Sequence, residues 1–262
     1  KMTKDYLKLR LPNSSFAWQG GEPTLMGLDF YKKAVEIQKK YALSDQNVVN
    51  CLQTNAIIFN DQWCEFFFFY NFIVGISIDV PQQYHDHDRK NFANQGTWKR
   101  VMNSIELCKK HHVEFNVLVL INNINGTHPE ELFDFFVEHD IKYLQFIPCV
   151  EADAETGEMA DFSITPEQYG DFLCRLFDKW VEYGPEKVSI RDFDSFLSYF
   201  LSGRHSICTF DNQCSGYIVI EHQGDAFCCD FFVTPEWKIG NIFETPIKEL
   251  ASSSKKRAFA RQ

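Results

Sequence analysis

Between residues 15 and 150 short β-rich runs alternate with helical patterns, and this limits the possible architectures more than any other feature. The runs are 15–19, 48–53, 73–79, 114–121 and 143–150; helical stretches lie near 28–41, 61–70, 97–111 and 129–139. Strands separated by helices join their neighbours through crossovers. The expectation is therefore an α/β fold with a parallel sheet, either open or closed into a barrel. The apolar stretch "EFFFFYNFIVGISI" reads as a helix-to-strand junction, because Asn71 and Gly75 interrupt it. Thr127 with Glu130, and Thr165 with Gln168, have the spacing of capping boxes. After about Gly184 the alternation stops. A short helix at 194–201, a hairpin in "YIVIEHQGDAFCCDFF" turning at Gln-Gly-Asp, and a last helix at 246–253 are expected there. Residues 1–184 and 185–262 are thus expected to form two domains.

Polar residues gather where the strands end: Gln19 to Glu22, Gln53 to Asn55, Ser77 with Asp79, and Gln145. In βα architectures the C-terminal strand ends form the ligand face, so four such clusters point to one pocket. The first cluster, in "FAWQGGEPT", has two glycines but no lysine. It offers the carboxylate of Glu22 instead, which suits a ligand ammonium better than a phosphate. Downstream, "HDHDR" at 85–89 has the look of a metal motif, but the pattern is commoner in a solvated turn, and a zinc hydrolase on His85 and His87 is the weaker reading. Arg89 can clamp a carboxylate.

The formal net charge of −10, with no Lys/Arg stripe, argues against nucleic acid as a partner. No apolar run approaches the roughly 18 residues of a membrane span. With no secretory signal at the start, a cytoplasmic protein is expected. Of the nine cysteines, Cys51, Cys64, Cys108, Cys149 and Cys174 lie singly in apolar segments, and most of them read as small buried hydrophobes. Cys208, Cys214, Cys228 and Cys229 form C-x5-C-x13-C-C. Thiolates at that spacing suit an iron–sulfur cluster or zinc equally. Adjacent strand residues face opposite ways, so only one of Cys228 and Cys229 can join the other two. Asp230, next to this group, is a candidate base, and on a strand it would face away from Cys229.

Taken in order, "FAWQGGEPTLMGLDFYKKAVEIQKKY", "LQTN", "GISIDVP…HDHDR", "VEFNVLVLIN", "LQFIPCVE", the C-x5-C spacing, "CDFFV" and "KIGNI" resemble the anaerobic sulfatase-maturating enzymes. These are radical S-adenosylmethionine (SAM) enzymes with a cysteine-rich SPASM-type domain. The resemblance implies a partial (β/α)6 radical SAM barrel over 1–184, lacking its first βα unit, and the start of a SPASM-type domain over 185–262. It further implies SAM and [4Fe–4S] clusters as cofactors, a sulfatase polypeptide as substrate, and an electron donor such as flavodoxin or ferredoxin. The implied reaction is oxidation of a Cys or Ser to Cα-formylglycine, begun by a 5′-deoxyadenosyl radical, in an oxygen-sensitive enzyme. A related SPASM maturase acting on another peptide, for example by forming a thioether, would carry the same cysteine chemistry. A non-catalytic domain with a structural zinc is the third reading.

Carried over by position, Gly20, Gly21 and Glu22 match the motif holding the SAM amino group. Ser77 and Arg89 match contacts to SAM's polar end, and Val150 a position lining the adenosine. Cys208, Cys214 and Cys229 match three ligands of the first auxiliary cluster, and Asp230 the acid that takes the substrate proton. The family's C-x3-C-x2-C, which ligates the SAM-cleaving cluster, does not occur in residues 1–262, nor does its later cysteine motif. The expectation is an internal portion of a longer enzyme, inactive alone. Two further departures are Ala56, where Gly commonly follows "QTN", and Val80, where "DGP" is common. A β-branched Val80 would be strained if its turn needed positive φ.

Overall fold

Each of the five β-rich runs forms a strand in the computed structural model, which describes residues 1–153, 155–214 and 216–261. In chain order the elements are α1 (Met2–Leu7), β1 (Asn13–Trp18), α2 (Leu28–Tyr41), β2 (Asn47–Thr54), α3 (Asp61–Phe69), β3 (Phe72–Ser77), α4 (Gln82–Asp88) and α5 (Trp98–Lys110). There follow β4 (Phe115–Ile121), α6 (Pro129–Glu138), β5 (Tyr143–Pro148), α7 (Pro166–Tyr183), β6 (Ser189–Ile190) and α8 (Arg191–Ser202). The chain continues through β7 (Val219–Ile220), β8 (Asp225–Phe227), β9 (Lys238–Asn241), α9 (Ile247–Ala251) and α10 (Ser254–Phe259). The first six strands lie side by side in sequence order, and β2 to β6 pair in parallel. This is the α/β fold expected, with a separate antiparallel sheet β7-β8-β9. No helix among the described residues is long and apolar enough to cross a membrane.

Two compact units divide the chain, one of residues 17–26 and 50–196, the other of 1–16, 27–49 and 197–262. In the first, Val74 and Ile76 of β3, Val117 and Val119 of β4 and Phe146 of β5 are buried, as a parallel sheet covered by helices requires. The aromatic run of α3 turns Trp63, Phe66 and Phe67 inward, where Phe67 and Phe72 rings stand 5.5 Å apart. Asn71, at φ 50°, reverses the chain between α3 and β3. Gly75 lets β4 approach, since a Cβ there would meet Leu118 at 2.8 Å. The second unit packs Ala226, Ile242, Ile247 and Leu250 against Tyr6, Leu9, Ile218 and Ile239.

Several local expectations change. The Thr165–Gln168 capping box opens α7, with Gln168 N donating to Thr165 Oγ1 at 3.2 Å. The Thr127–Glu130 box does not form: α6 starts after His128 without a side-chain cap. Glu130 is instead held by Arg175, Nε to Oε1 at 2.9 Å and Nη2 to Oε2 at 2.6 Å, and this two-pronged charged contact outweighs a cap bond. The βα alternation also continues past Gly184, through β6 and α8. At two residues β6 is too short to leave a periodic signal, and β9, the third strand of the small sheet, likewise escaped the pattern. The helix expected at 246–253 forms as α9, and a further helix, α10, capped by Ser253, follows it. Val80 is buried outside the positive-φ region, so the turn needs no glycine there; Ala56 does stand at φ 54°.

Candidate functional site

The strand β1 ends at Trp18, and the chain turns through Gly20 at φ 93° and Gly21 at φ 51°. Both conformations favour glycine, and a Cβ on either would meet nothing within 4 Å. The backbone is therefore bent around open space. Glu22 follows, and its carboxylate is tied into the neighbouring strand end. Oε1 accepts from Thr24 N (2.9 Å), Thr24 Oγ1 (2.5 Å) and Thr54 Oγ1 (2.7 Å), while Oε2 accepts from Asn55 N at 2.8 Å. Three separate donor residues thus hold one acid in a fixed place. Oε2 keeps acceptor capacity beyond its one bond.

Ser77 is the last residue of β3 and is half-buried. In the pairing register Thr54, at the end of β2, stands beside Ile76, and the ends of β4 and β5 meet at Ile121 and Pro148, while Ser77 stands beside Leu118, within β4. Val150 lies two residues past β5 and is 64% exposed. Gly20, Gly21, Glu22, Ser77 and Val150 therefore all sit at C-terminal strand ends within one unit. Arg89 arrives there already engaged: Nε donates to Asp79 Oδ2 at 2.5 Å, and Asp79 Oδ1 accepts from Leu120 N at 2.9 Å. A guanidinium carries five donors, so the fork on Asp79 leaves others for a ligand carboxylate.

The "HDHDR" segment is not a solvated turn. It is the end of α4, with His87 and Asp88 exposed and His85 fully buried. Asp79 N donates to His85 Nδ1 at 3.2 Å, so Nε2 carries the proton toward Thr97 Oγ1 at 2.9 Å, and Thr97 Oγ1 donates to Arg89 O at 3.0 Å. His85 thereby braces the Asp79–Arg89 pair. Among the described residues no group of three His, Cys, Asp or Glu side chains is placed to hold a metal ion.

Burial, with Arg89 as a second cause, lowers the pKa of His85 to about 4, against an ordinary 6.5. Because the folded value is depressed, the contribution is complete above about pH 6.5 and is lost as pH falls toward 4. It amounts to roughly 3 kcal/mol. Urea unfolding at pH 7 and pH 4.5 should show most of that loss in the native chain and much less in His85→Gln. Equal losses in the two would remove this role for His85.

In the other unit, Cys208 opens a 3-10 turn and is exposed, as is Cys214; Cys228 is buried and Cys229 half-buried. Two side chains gather this region. Lys256 Nζ donates to Cys228 O at 2.8 Å and Cys214 O at 3.3 Å. The Tyr217 hydroxyl donates to Asp230 Oδ1 and stands 3.5 Å from Cys229 Sγ, which is 3.4 Å from that same oxygen. Asp230 was expected to face away from Cys229, but the strand ends at Phe227 and Asp230 begins a 3-10 turn, which brings the two side chains together. Burial, then the bonds to Asp230 and Cys229, push the Tyr217 pKa far up, so it remains a donor.

Cys208, Cys214 and Cys229 have the thiol chemistry of cluster ligands, but among the described residues they are not gathered into a group placed to hold a metal ion. Cys229, not the buried Cys228, is accessible beside Asp230, and a buried ammonium lies against the same backbone. Neither Tyr217 nor Lys256 had a sequence signal, since one reads as part of a strand and the other as part of a basic tail.

Known proteins match along the chain. Residues 3–136 match the model of the radical SAM superfamily, and residues 208–262 that of SPASM, an iron–sulfur cluster-binding domain. A serine-type anaerobic sulfatase-maturating enzyme of Bacteroides thetaiotaomicron is 40% identical, over 99% of this chain and 66% of that protein. A cysteine-type counterpart from Clostridium perfringens is 37% identical, over 98% of this chain and 70% of that protein. The chain thus spans about two thirds of the length of these relatives. Among solved structures, native anSMEcpe with bound AdoMet superposes with a TM-score of 0.94 at 37% identity, covering 99% of this chain and 71% of that one.

Proposed function

The chain belongs to the radical SAM superfamily and, within it, to the anaerobic sulfatase-maturating enzymes, and from that premise we propose that the whole protein oxidises a Cys or Ser of a sulfatase polypeptide to Cα-formylglycine. What supports the reading most is the pairing, in one chain, of an anchored acid at the strand ends with an acid beside a cluster cysteine. Glu22 holds the SAM ammonium, with Gly20 and Gly21 giving it room beside the strand end. Arg89, braced on Asp79, takes the SAM carboxylate, Ser77 a polar contact, and Val150 the adenosine face. Cys208, Cys214 and Cys229 contribute to an auxiliary [4Fe–4S] cluster. When bound, SAM and the clusters supply the radical that removes the Cβ hydrogen and accept the second electron of the oxidation. Asp230 takes the accompanying proton from the substrate Cys or Ser, with Tyr217 fixing its carboxylate. A flavodoxin or ferredoxin is the proposed electron donor, and the cytoplasm the proposed compartment.

The whole protein, incubated anaerobically with SAM, a one-electron reductant and Cys- or Ser-containing sulfatase peptides, should yield the formylglycine mass in at least one of them. A peptide that loses two hydrogens yet keeps its sulfur would mark a thioether-forming maturase instead. Zinc in place of iron in the purified protein would sink the catalytic reading altogether.

A further inference from the structure

The parallel sheet packs its helices against one face. Val74, Ile76 and Val117 are buried on that side, where Phe67 of α3 meets Phe72 and Phe172 of α7 meets Phe146, each pair of rings 5.5 Å apart. Strand side chains alternate, so Gln53, Gly75, Ser77, Asn116, Leu118 and Gln145 belong to the opposite face. The register sets Gln53, Gly75 and Asn116 in one row across β2, β3 and β4, one side-chain layer beneath Ser77. Asn116 leans along that row, since a Cβ on Gly75 would stand 3.5 Å from its Oδ1 and 2.8 Å from Leu118 Cδ1. Gln53 is exposed and Asn116 half-buried, and neither carboxamide makes a hydrogen bond among the described residues. From Cys51 to Ile147, no position of β2 to β5 on this face is Asp, Glu, Lys or Arg, although 24% of the chain is charged. A face that met only water would take its share of charged side chains.

We propose that Gln53 and Asn116 bind the main chain of the substrate polypeptide, their carboxamides bonding the peptide groups on either side of the Cys or Ser to be oxidised. The inference rests on the polypeptide substrate proposed above and adds residues that hold it. A carboxamide carries N–H donors and a carbonyl acceptor, the same pair that a peptide group presents. Two strand spacings separate the residues, so their Cα atoms stand about 10 Å apart, a span an extended chain covers in about three residues. Between them a methyl of Leu118 lies over Gly75, so the two amides flank an apolar floor. Two features favour a main chain over SAM as the occupant. SAM's charged ends have Glu22 and Arg89 at the strand ends, whereas this row lies about 7 Å further down the strands from Ser77. The wall is also uncharged, and a charged group would find no partner on it. Recognition through the main chain places the reacting residue whatever side chains flank it.

The test is equilibrium binding of a fluorescent, Cys-containing sulfatase peptide to the whole protein in the presence of SAM, with SAM binding measured separately. Gln53→Leu and Asn116→Leu keep much of the side-chain volume and remove its donors and acceptor. Each should weaken peptide binding about tenfold, equivalent to 1.4 kcal/mol, while SAM affinity stays within threefold and the melting temperature holds. Exchanging the peptide N–H on either side of the Cys for an ester oxygen should cost the native protein at least tenfold. The same exchange should cost the double Leu variant less than threefold, because the effects of groups in contact do not add. Peptide binding within threefold of native in either variant, or an equal cost of the esters in native and double variant, would overturn the proposal. So would a loss that falls on SAM, whose adenine edge carboxamides can also bond. Native protein that binds no sulfatase peptide would overturn the polypeptide reading and this site with it.

Discussion

Glu22→Gln is expected to weaken SAM binding by the whole protein at least 100-fold, about 3 kcal/mol. Two effects combine. The ionised carboxylate is lost as the partner of the SAM ammonium, and a charge-assisted bond is worth about 1.5–3 kcal/mol. The amide also cannot repeat the present bonding. Oε1 takes three donors, from Thr24 and Thr54, and Oε2 takes the Asn55 N–H. An amide nitrogen in the Oε2 position would put two donors face to face, and flipping the amide would move the conflict to the Thr24 side. Either way the loop after β1 loosens from the end of β2. Equilibrium binding of SAM is the readout, with the melting temperature as control. An affinity within threefold of the native value would end the assignment of Glu22 as the ammonium anchor.

The second large effect is expected at Asp230. Asp230→Asn should lower formylglycine formation by about 10²–10⁴-fold, the usual worth of a positioned general base. Iron content and SAM binding should be kept, because Asn presents the same oxygen to the Tyr217 hydroxyl and changes no thiol. Tyr217→Phe should cost less, about tenfold, since the base survives but one bond that aims it is gone. Reaction quench and mass spectrometry of the peptide give both numbers. An Asn variant with native rates would exclude Asp230 as the proton acceptor. Equal losses in the two variants would show that the hydroxyl does more than aim the carboxylate.

Much of the fold was legible because its signals are local. The strand runs lie where periodicity put them, the helix-to-strand junction turns at Asn71, and Thr165 and Gln168 cap α7. The failures share one cause. Glu130 left its cap for Arg175, 45 residues on, and β6 is defined only by its pairing with β5. "HDHDR" looked solvated because all five of its side chains are polar or charged, whereas the helix turns one of them, His85, wholly inward.

The same division holds for the site. The order of motifs along the chain, Gly-Gly-Glu-Pro early and C-x5-C late, was enough by itself to determine the fold class and the family, because residue type and spacing are properties of the chain. The tertiary structure alone decided what each side chain meets. It set Glu22 among Thr24, Thr54 and Asn55, brought Cys229 and Asp230 to one side under Tyr217, and buried Lys256 against the cysteine backbone. Hydrogen bonds and charges act over a few ångströms of space, and residues 12 to 42 positions apart in the chain come within that range only after folding.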